Sequence, residues 1–312
     1  MANFLVTGGA GFIGSHIVKE LISRGESVKV IDNLETGKIL NIKNLLDKIE
    51  FYNLDIRDLN AIDKLVEDID YILHQAAIPS VQRSIVDPYK TNSVNVNGTL
   101  NILILASKYK VKRVVLASSS SVYGNVNILP KKENLYPRPL SPYAVSKLAT
   151  EYYAKVFYEI YGLETVILRY FNVFGPKQDP NSQYAAVIPK FIKKMLNDEK
   201  PEIYGDGEQS RDFTYVENIV NANILAVYSN KVGHGEIINI ACGNRITLNQ
   251  LVESINEILG KNIKPIYREP RPGDVKHSQA SIKKAIDLLD YQVKTPFYEG
   301  LIKTIEWFKN NV

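Results

Sequence analysis

Tyr143 and Lys147 stand four residues apart in Tyr-Ala-Val-Ser-Lys, a spacing that puts both side chains on one face of a helix. A free phenol, with a pKa of about 10, is too weakly acidic to act as a base at neutral pH; a nearby positive charge stabilises the phenolate and makes it one. Taken alone, a tyrosine–lysine pair at this spacing is common by chance and equally suits a surface contact. Ser118, Ser119, Ser120 and Ser121 form a second candidate group. A hydroxyl there can pass a proton between a substrate hydroxyl and the Tyr143 oxygen, although four serines also suit a solvated turn. The third group is Thr7-Gly8-Gly9-Ala10-Gly11-Phe12-Ile13-Gly14. Its glycines allow a sharp turn, close approach of a pyrophosphate and tight packing of a helix on a strand. The helix N-terminus then offers unpaired N–H groups to the phosphates. Asp32 follows the next apolar run, where a carboxylate accepts from a ribose 2′-hydroxyl and repels a 2′-phosphate, so the pattern points to NAD rather than NADP.

The elements that must position these groups alternate. Residues 3–7, 27–31, 50–54, 71–74 and 113–118 are short, near-continuous apolar runs, as buried parallel strands are. Residues 12–23, 58–67 and 92–109 carry helical patterns between them, and a helix at 142–161 leads to a strand at 164–169. Such alternation predicts right-handed crossovers and a parallel sheet covered on both faces. The glycine loop, Asp32, Asp55 with Ile56, Ala76 with Ala77, and the serine run then all fall at carboxyl ends of strands, where ligands bind in such sheets. Singly, Asp55 suits a helix cap and Ala76-Ala77 simple packing. After Tyr170 the pattern loosens: a loop at 175–183, helices at 187–196, 218–228, 247–259 and 298–309, a strand at 236–241, and turns at 205–209 and 268–274. Thr247 and Gly260 are fitted to cap the helix between them.

The chain has 312 residues, 45% hydrophobic and 23% charged, a globular balance sufficient for one large α/β unit or two domains. Cys242 alone excludes a disulfide framework. Four histidines (His16, His74, His234, His277) show no ligand spacing, so no metal is expected. A net charge of +4, spread along the chain, gives little reason to expect nucleic acid or membrane as a partner. No basic leader or apolar run of about 20 residues is visible, and a cytoplasmic location is expected.

These motifs together resemble an extended short-chain dehydrogenase/reductase, and within that superfamily the UDP-hexose 4-epimerases. The likeness extends through Asp32-Asn33-Leu34, His74-Gln75-Ala76-Ala77, Asn95-Val96-Asn97-Gly98-Thr99, Ser141-Pro142-Tyr143, Arg169-Tyr170-Phe171-Asn172, Gly205-Asp206-Gly207, Ser210-Arg211-Asp212-Phe213 and Arg271-Pro272-Gly273-Asp274. The resemblance implies a Rossmann-type, doubly wound α/β sheet with a smaller C-terminal α+β substrate domain. NAD would occupy residues 1–170 with a returning segment at about 213–243, and the nucleotide sugar residues 171–212 and 244–312. By the same resemblance Tyr143 is the base, Ser119 its hydroxyl relay and Lys147 its partner. Gly8, Gly11, Phe12, Ile13, Gly14, Asp32, Asn33, Asp55, Ile56, Ala76, Ala77, Asn95, Tyr143, Lys147 and Tyr170 would hold NAD. Ser80, Ser119, Ser120, Ser121, Tyr143, Asn172, Ala186, Val187, Tyr204, Arg211, Arg271, Asp274 and Ser278 would hold the UDP-hexose.

The sub-class depends on a few positions. Related 4,6-dehydratases and uronate decarboxylases carry carboxylates beside the relay hydroxyl, and Ser119 to Gly124 contains none. Ser278 and Ala186 stand where epimerases confined to plain hexoses have tyrosine and asparagine, leaving room for a 2-acetamido group. Pro79 departs from the lysine or glycine of relatives. The resemblance therefore implies interconversion of UDP-GlcNAc and UDP-GalNAc, with UDP-glucose and UDP-galactose beside them. The alternatives are another NAD-dependent UDP-sugar enzyme (a uronic-acid 4-epimerase, dehydratase or decarboxylase) and a catalytically silent NAD-sensing module. It also implies a homodimer, with helices at about 89–109 and 142–161 forming a four-helix bundle; their apolar faces equally suit the core of one chain.

Overall fold

The computed structural model describes residues 1–181, 186–270 and 276–311. Seven parallel strands form the central sheet: β1 (Asn3–Thr7), β2 (Ser27–Ile31), β3 (Glu50–Tyr52), β4 (Tyr71–His74), β5 (Arg113–Ser119), β6 (Glu164–Tyr170) and β7 (His234–Ile240). Their spatial order is β7-β6-β5-β4-β1-β2-β3. The order reverses between β1 and β4, so connections leave to opposite sides there and a crevice opens at the carboxyl ends. Registers Thr7↔Ile31, Thr7↔His74, His74↔Leu116 and Ser119↔Tyr170 bring the ends of five strands to one edge. This is the Rossmann-type arrangement expected from the alternation of elements.

Alternating side chains of β1 build both cores. Phe4 and Val6 pack with Ile17, Val18 and Leu21 of α1 (Phe12–Ser23), while Leu5 packs on the opposite face with Ile102 and Leu103 of α2 (Thr99–Lys108). Each such side chain, fully buried, stabilises the fold by about 1.5–3 kcal/mol before cavity terms. The longest helix, α3 (Pro142–Tyr161), begins at Ser141, whose Oγ accepts from the Ala144 amide (3.2 Å), has proline at its first position and ends at Gly162 in the left-handed region (φ 69°). These are strong boundary signals, and they fix where Tyr143 and Lys147 stand on the helix.

Three elements differ from the sequence reading. The stretch at 92–109 is interrupted: Pro88–Asn92 is α-helical, Ser93–Gly98 forms a wider π turn and α2 follows. At Gly98 a Cβ would lie 2.5 Å from Ile56 Cδ1, so a larger residue there would have to push the Ile56 side chain aside. Residues 58–67 form only one α turn, Leu59–Ile62, capped by Asp58, and a 3-10 turn, Asp63–Val66. The expected strand at 50–54 ends at Tyr52.

Beyond β6 the smaller elements pack largely on one another. Val187–Leu196, Leu248–Leu259 and Phe297–Asn311 are helices, and α4 (Val216–Tyr228) packs back against α1. Thr247 and Gln250 form a reciprocal capping box, and Gly260 ends that helix with positive φ. Short strand pairs link the region: Glu202–Tyr204 with Ile266–Arg268, Ser210–Arg211 with Ile246–Thr247, and Val173–Phe174 with Thr214–Tyr215. Among the described residues, no helix is long and apolar enough to cross a membrane.

Candidate active site

The glycine loop is shaped by contacts that exclude a side chain. Gly8 has φ +70°, and a Cβ there would lie 2.7 Å from the Ala76 amide nitrogen; at Gly14 it would lie 2.1 Å from Gly8 O. The loop therefore presses β4's exit on one side and α1 on the other. The amides of Phe12, Ile13 and Gly14 precede the first bond of α1, from Ser15 N–H to Gly11 O (3.1 Å). Gly11 offers no side-chain cap, and no acid occupies the first turn. The result is a helix end left open for an anion.

Asp32 is buried, with one carboxylate oxygen accepting from the Ala10 amide (2.9 Å) and the other from Leu34 (2.8 Å). Burial pushes its carboxyl up and those backbone donors oppose the push. Each oxygen keeps a lone pair for a sugar hydroxyl. Asp55 accepts from Asn33 Nδ2 (2.9 Å) and from Arg57 Nε and Nη2 (2.9 and 2.7 Å), which hold its carboxyl down at about 2. These groups border a cleft of about 280 Å³, together with Ile56, Ala76, Ala77 and Tyr170. Tyr170 accepts from Asn223 Nδ2 (2.8 Å) and donates to Gln75 Oε1 (3.3 Å); burial pushes its phenol up to about 12.

Tyr143 and Lys147 enter the same cleft from α3. Burial pushes the Tyr143 phenol above its ordinary value, and a hydrogen bond with Ser119 opposes this. Lys147 donates to Ala117 O (2.8 Å); burial pulls its ammonium down to about 8, against the pull of Glu151. The four serines separate by role. Ser118 turns inward and donates to Glu151 Oε1 (2.5 Å), while Ser119 accepts from the Ser121 amide (3.2 Å) and meets Tyr143. Ser120 opens the 3-10 turn that follows, and Ser121 Oγ is buried without a partner among the described residues.

A second cavity of about 320 Å³ gathers Asn172, Ala186, Val187, Tyr204 and Arg211, lined also by Phe174, Phe191, Phe213 and Gln209. Gln209 donates to Tyr204 O (2.6 Å), and its own carbonyl oxygen is buried without a partner among the described residues. An aromatic-walled cavity with an unpaired acceptor and a guanidinium at its border suits a planar polar base attached to an anion. Ser278 is buried, its amide donating to Ser210 O (3.0 Å) beside Arg211. Ser80 caps a short helix, Val81–Val86, through a bond from the Arg83 amide (3.3 Å). Arg271 and Asp274 lie outside the described residues.

A family model described as the NAD dependent epimerase/dehydratase family matches residues 4–241. The chain belongs to that family. It is 36% identical over 322 residues to a UDP-glucuronate 4-epimerase of Thermodesulfobacterium geofontis, covering 100% of this chain and 98% of the other. A solved UDP-N-acetylglucosamine 4-epimerase from Methanobrevibacter ruminantium, in complex with UDP-N-acetylmuramic acid, superposes with a TM-score of 0.95 at 45% identity, covering 100% of this chain and 99% of that one. A UDP-glucose 4-epimerase from Thermotoga maritima, solved with UDP-glucose, gives 0.93 at 40% identity, covering 99% of each chain.

The family's NAD fits the cleft on three local grounds: the side-chain-free cradle at Gly8 and Gly14, the open amides of Phe12 to Gly14, and the spare lone pairs of Asp32. Asn95 stands in the π turn at 93–98, 1% exposed, its side-chain amide accepting from Ile78 N (2.8 Å) and donating to Ser146 Oγ (2.9 Å), while its neighbours Ile78 and Val94 line the cleft. Sequence reasoning missed Gln75, Arg57 and Gln209. Gln75 had a usable signal, since it directly follows β4 at a carboxyl end.

Proposed function

We propose that this protein reversibly inverts C4 of a UDP-hexose, with UDP-GlcNAc and UDP-GalNAc as the pair and UDP-glucose and UDP-galactose also accepted. The observation that carries the reading is that Tyr143, hydrogen-bonded to Ser119, enters the cleft that also holds Lys147 and the glycine cradle. Tyr143, as phenolate, takes the C4 hydroxyl proton, directly or across Ser119. Burial keeps the phenol protonated; the Lys147 ammonium, in the same cleft, is assigned the role of stabilising the phenolate, as a neighbouring positive charge does. NAD, when bound, supplies the acceptor for the C4 hydride and returns it, so no net oxidation occurs. Asn172, Val187, Tyr204 and Arg211 hold the uridine and diphosphate in the second cavity, leaving the sugar to turn and present its other face to Tyr143. Ser278 and Ala186 leave room at the 2-position for an acetamido group.

The absence of any carboxylate from Ser119 to Gly124 favours epimerisation over elimination or decarboxylation, because elimination of water needs a general acid beside the relay hydroxyl. The 36% identity to a UDP-glucuronate 4-epimerase keeps a 6-carboxylated sugar as the second reading. Incubation with four UDP-sugars (GlcNAc, glucose, glucuronate, xylose) and no added reductant tests this. The expected product is a stereoisomer of unchanged mass, formed fastest from UDP-GlcNAc. Loss of water or carbon dioxide contradicts it, and conversion of UDP-glucuronate alone selects the second reading.

The working unit of this reading is a homodimer. Ile85, Val86 and Tyr89 before the π turn, with Val145, Tyr152 and Ile160 on α3, are 53–85% exposed, more apolar surface than these helices need for their own core. A second copy covers them in a four-helix bundle, and light scattering at twice the monomer mass is the expected result.

A further inference from the structure

A buried charge cluster lies one helical turn behind Lys147, and the reaction as proposed makes no use of it. Glu151 and Arg169 are each 1% exposed. Arg169 donates through Nε and Nη2 to the two Glu151 oxygens (2.8 and 2.7 Å), and Ser118 adds a 2.5 Å bond to the same carboxylate. The guanidinium lies 4.7 Å from the centre of the Tyr123 ring, whose hydroxyl donates to Asn239 Oδ1 (2.7 Å). The cluster therefore joins α3 to β5, β6 and β7 and touches both sides of the serine turn, through Ser118 and Tyr123. A buried ion pair is a poor source of net stability, because desolvation consumes most of its Coulomb attraction. Its position suggests another use.

We propose that Glu151 is a positioning residue for the reaction, its carboxylate clamped by Arg169 and Ser118 so that Lys147 stays an ammonium behind Tyr143. This rests on the reading of Tyr143 and Lys147 given above. Lys147 and Glu151 sit at i and i+4 on one face, about 6 Å apart between Cβ atoms. Burial pulls the Lys147 ammonium down to about 8, and Glu151 is the charge that resists this pull. Other ionisable neighbours do not replace it. His74, on β4, is held neutral by burial at about 3. On α3, Tyr152 and Lys155 stand on the far side of Glu151, where they line a separate cavity with Glu133 and Tyr136. Glu133 is occupied by the Asn239 amide (2.9 Å). Tyr123, packed on Arg169, is pushed up to about 12 and remains neutral.

The test compares the full-length protein with Glu151→Gln and with the Glu151→Gln/Arg169→Met double variant, which leaves no unpaired buried charge if the single variant fails to fold. Two readouts are followed against pH: kcat for UDP-GlcNAc epimerisation, and the Lys147 Cε resonance in lysine-labelled protein, assigned by its loss in Lys147→Met. Removing one charge at this separation shifts the Lys147 titration down by roughly one to two pH units at an effective dielectric of about 20. The alkaline limb of kcat moves with it, further in the single variant than in the double, while KM changes little. A folded variant with native stability-corrected kcat, an unmoved limb and an unmoved Lys147 resonance overturns the role of Glu151. If the native protein itself epimerises no UDP-sugar, the reading of the site falls and this proposal falls with it.

Discussion

Gly14→Ala separates the cofactor cradle from general stability. The added Cβ would stand 2.1 Å from Gly8 O and 2.8 Å from Gly9 Cα, both backbone atoms that no rotamer change can move. Ordinary contact begins at 3.4 Å, so loop and helix must part by about 1.3 Å. Overpacking of this kind costs about 1–3 kcal/mol of stability. The larger effect falls on NAD. The amides of Phe12 and Ile13 are carried away from the phosphates, and losing even one or two charge-assisted bonds costs about 3 kcal/mol, or about 100-fold in Kd. Gly25→Ala is the matched control. Gly25 has φ +77° with nothing within 4 Å of the built Cβ, so that variant pays only backbone strain of about 1–2 kcal/mol. Titration calorimetry with NAD on both folded variants decides the matter, with thermal melts run alongside. The expected pattern is a weak-binding Gly14→Ala and a native-affinity Gly25→Ala. A folded Gly14→Ala protein that binds NAD within threefold of native would refute the assignment of the loop.

Two further outcomes follow from the same geometry. Tyr143→Phe removes the phenol while leaving the glycine cradle and Asp32 untouched; kcat should fall by about 10²–10⁴ with NAD still bound, as measured by product formation and NAD content. His74 accepts from Thr7 at Nδ1 (2.7 Å) and donates from Nε2 to Thr99 Oγ1 (2.8 Å), whose own proton goes to Asn95 O (2.6 Å). It is neutral in the fold, with burial taking it down to about 3 from 6.5. The unfolded chain therefore binds the extra proton first, so the contribution of His74 is complete above pH about 6.5 and falls as the medium is acidified, by about 2–3 kcal/mol at pH about 4.5. His16, lowered by burial to about 4, acts in the same direction. Asp212, raised by burial to about 7, acts in the opposite direction over the same range. Urea unfolding of His74→Gln should therefore show a slope smaller than native by about one proton, roughly 1.4 kcal/mol per pH unit, and an unchanged slope would contradict the assignment.

Much of the frame was legible in the sequence because its signals are local. Strands β1, β2 and β4 are short apolar runs whose period needs no tertiary context, and α3 carries a serine cap, a proline and a terminal glycine within its own residues. That Asp32, Asp55 and Ala76 border one cleft was legible for a related reason, since the carboxyl-end rule converts strand positions into a crevice. The π turn at 93–98 was not, because its wider hydrogen-bonded ring follows no pattern along the chain. The pairing of Glu151 with Arg169 was invisible for the same reason, because it joins α3 to β6 through a contact that only the packed structure defines. The two- and three-residue strands around the second cavity are too short for periodicity to register.

The central claim is that C4 loses and regains its hydrogen as a hydride held within the site, while Tyr143 handles only the hydroxyl proton. Running the interconversion of UDP-GlcNAc to equilibrium in deuterium oxide, followed by NMR of the sugar protons, tests it most directly. The account predicts that both epimers keep protium at C4 through many turnovers. Deuterium at C4 would mean exchange of that hydrogen with solvent and would contradict the mechanism outright.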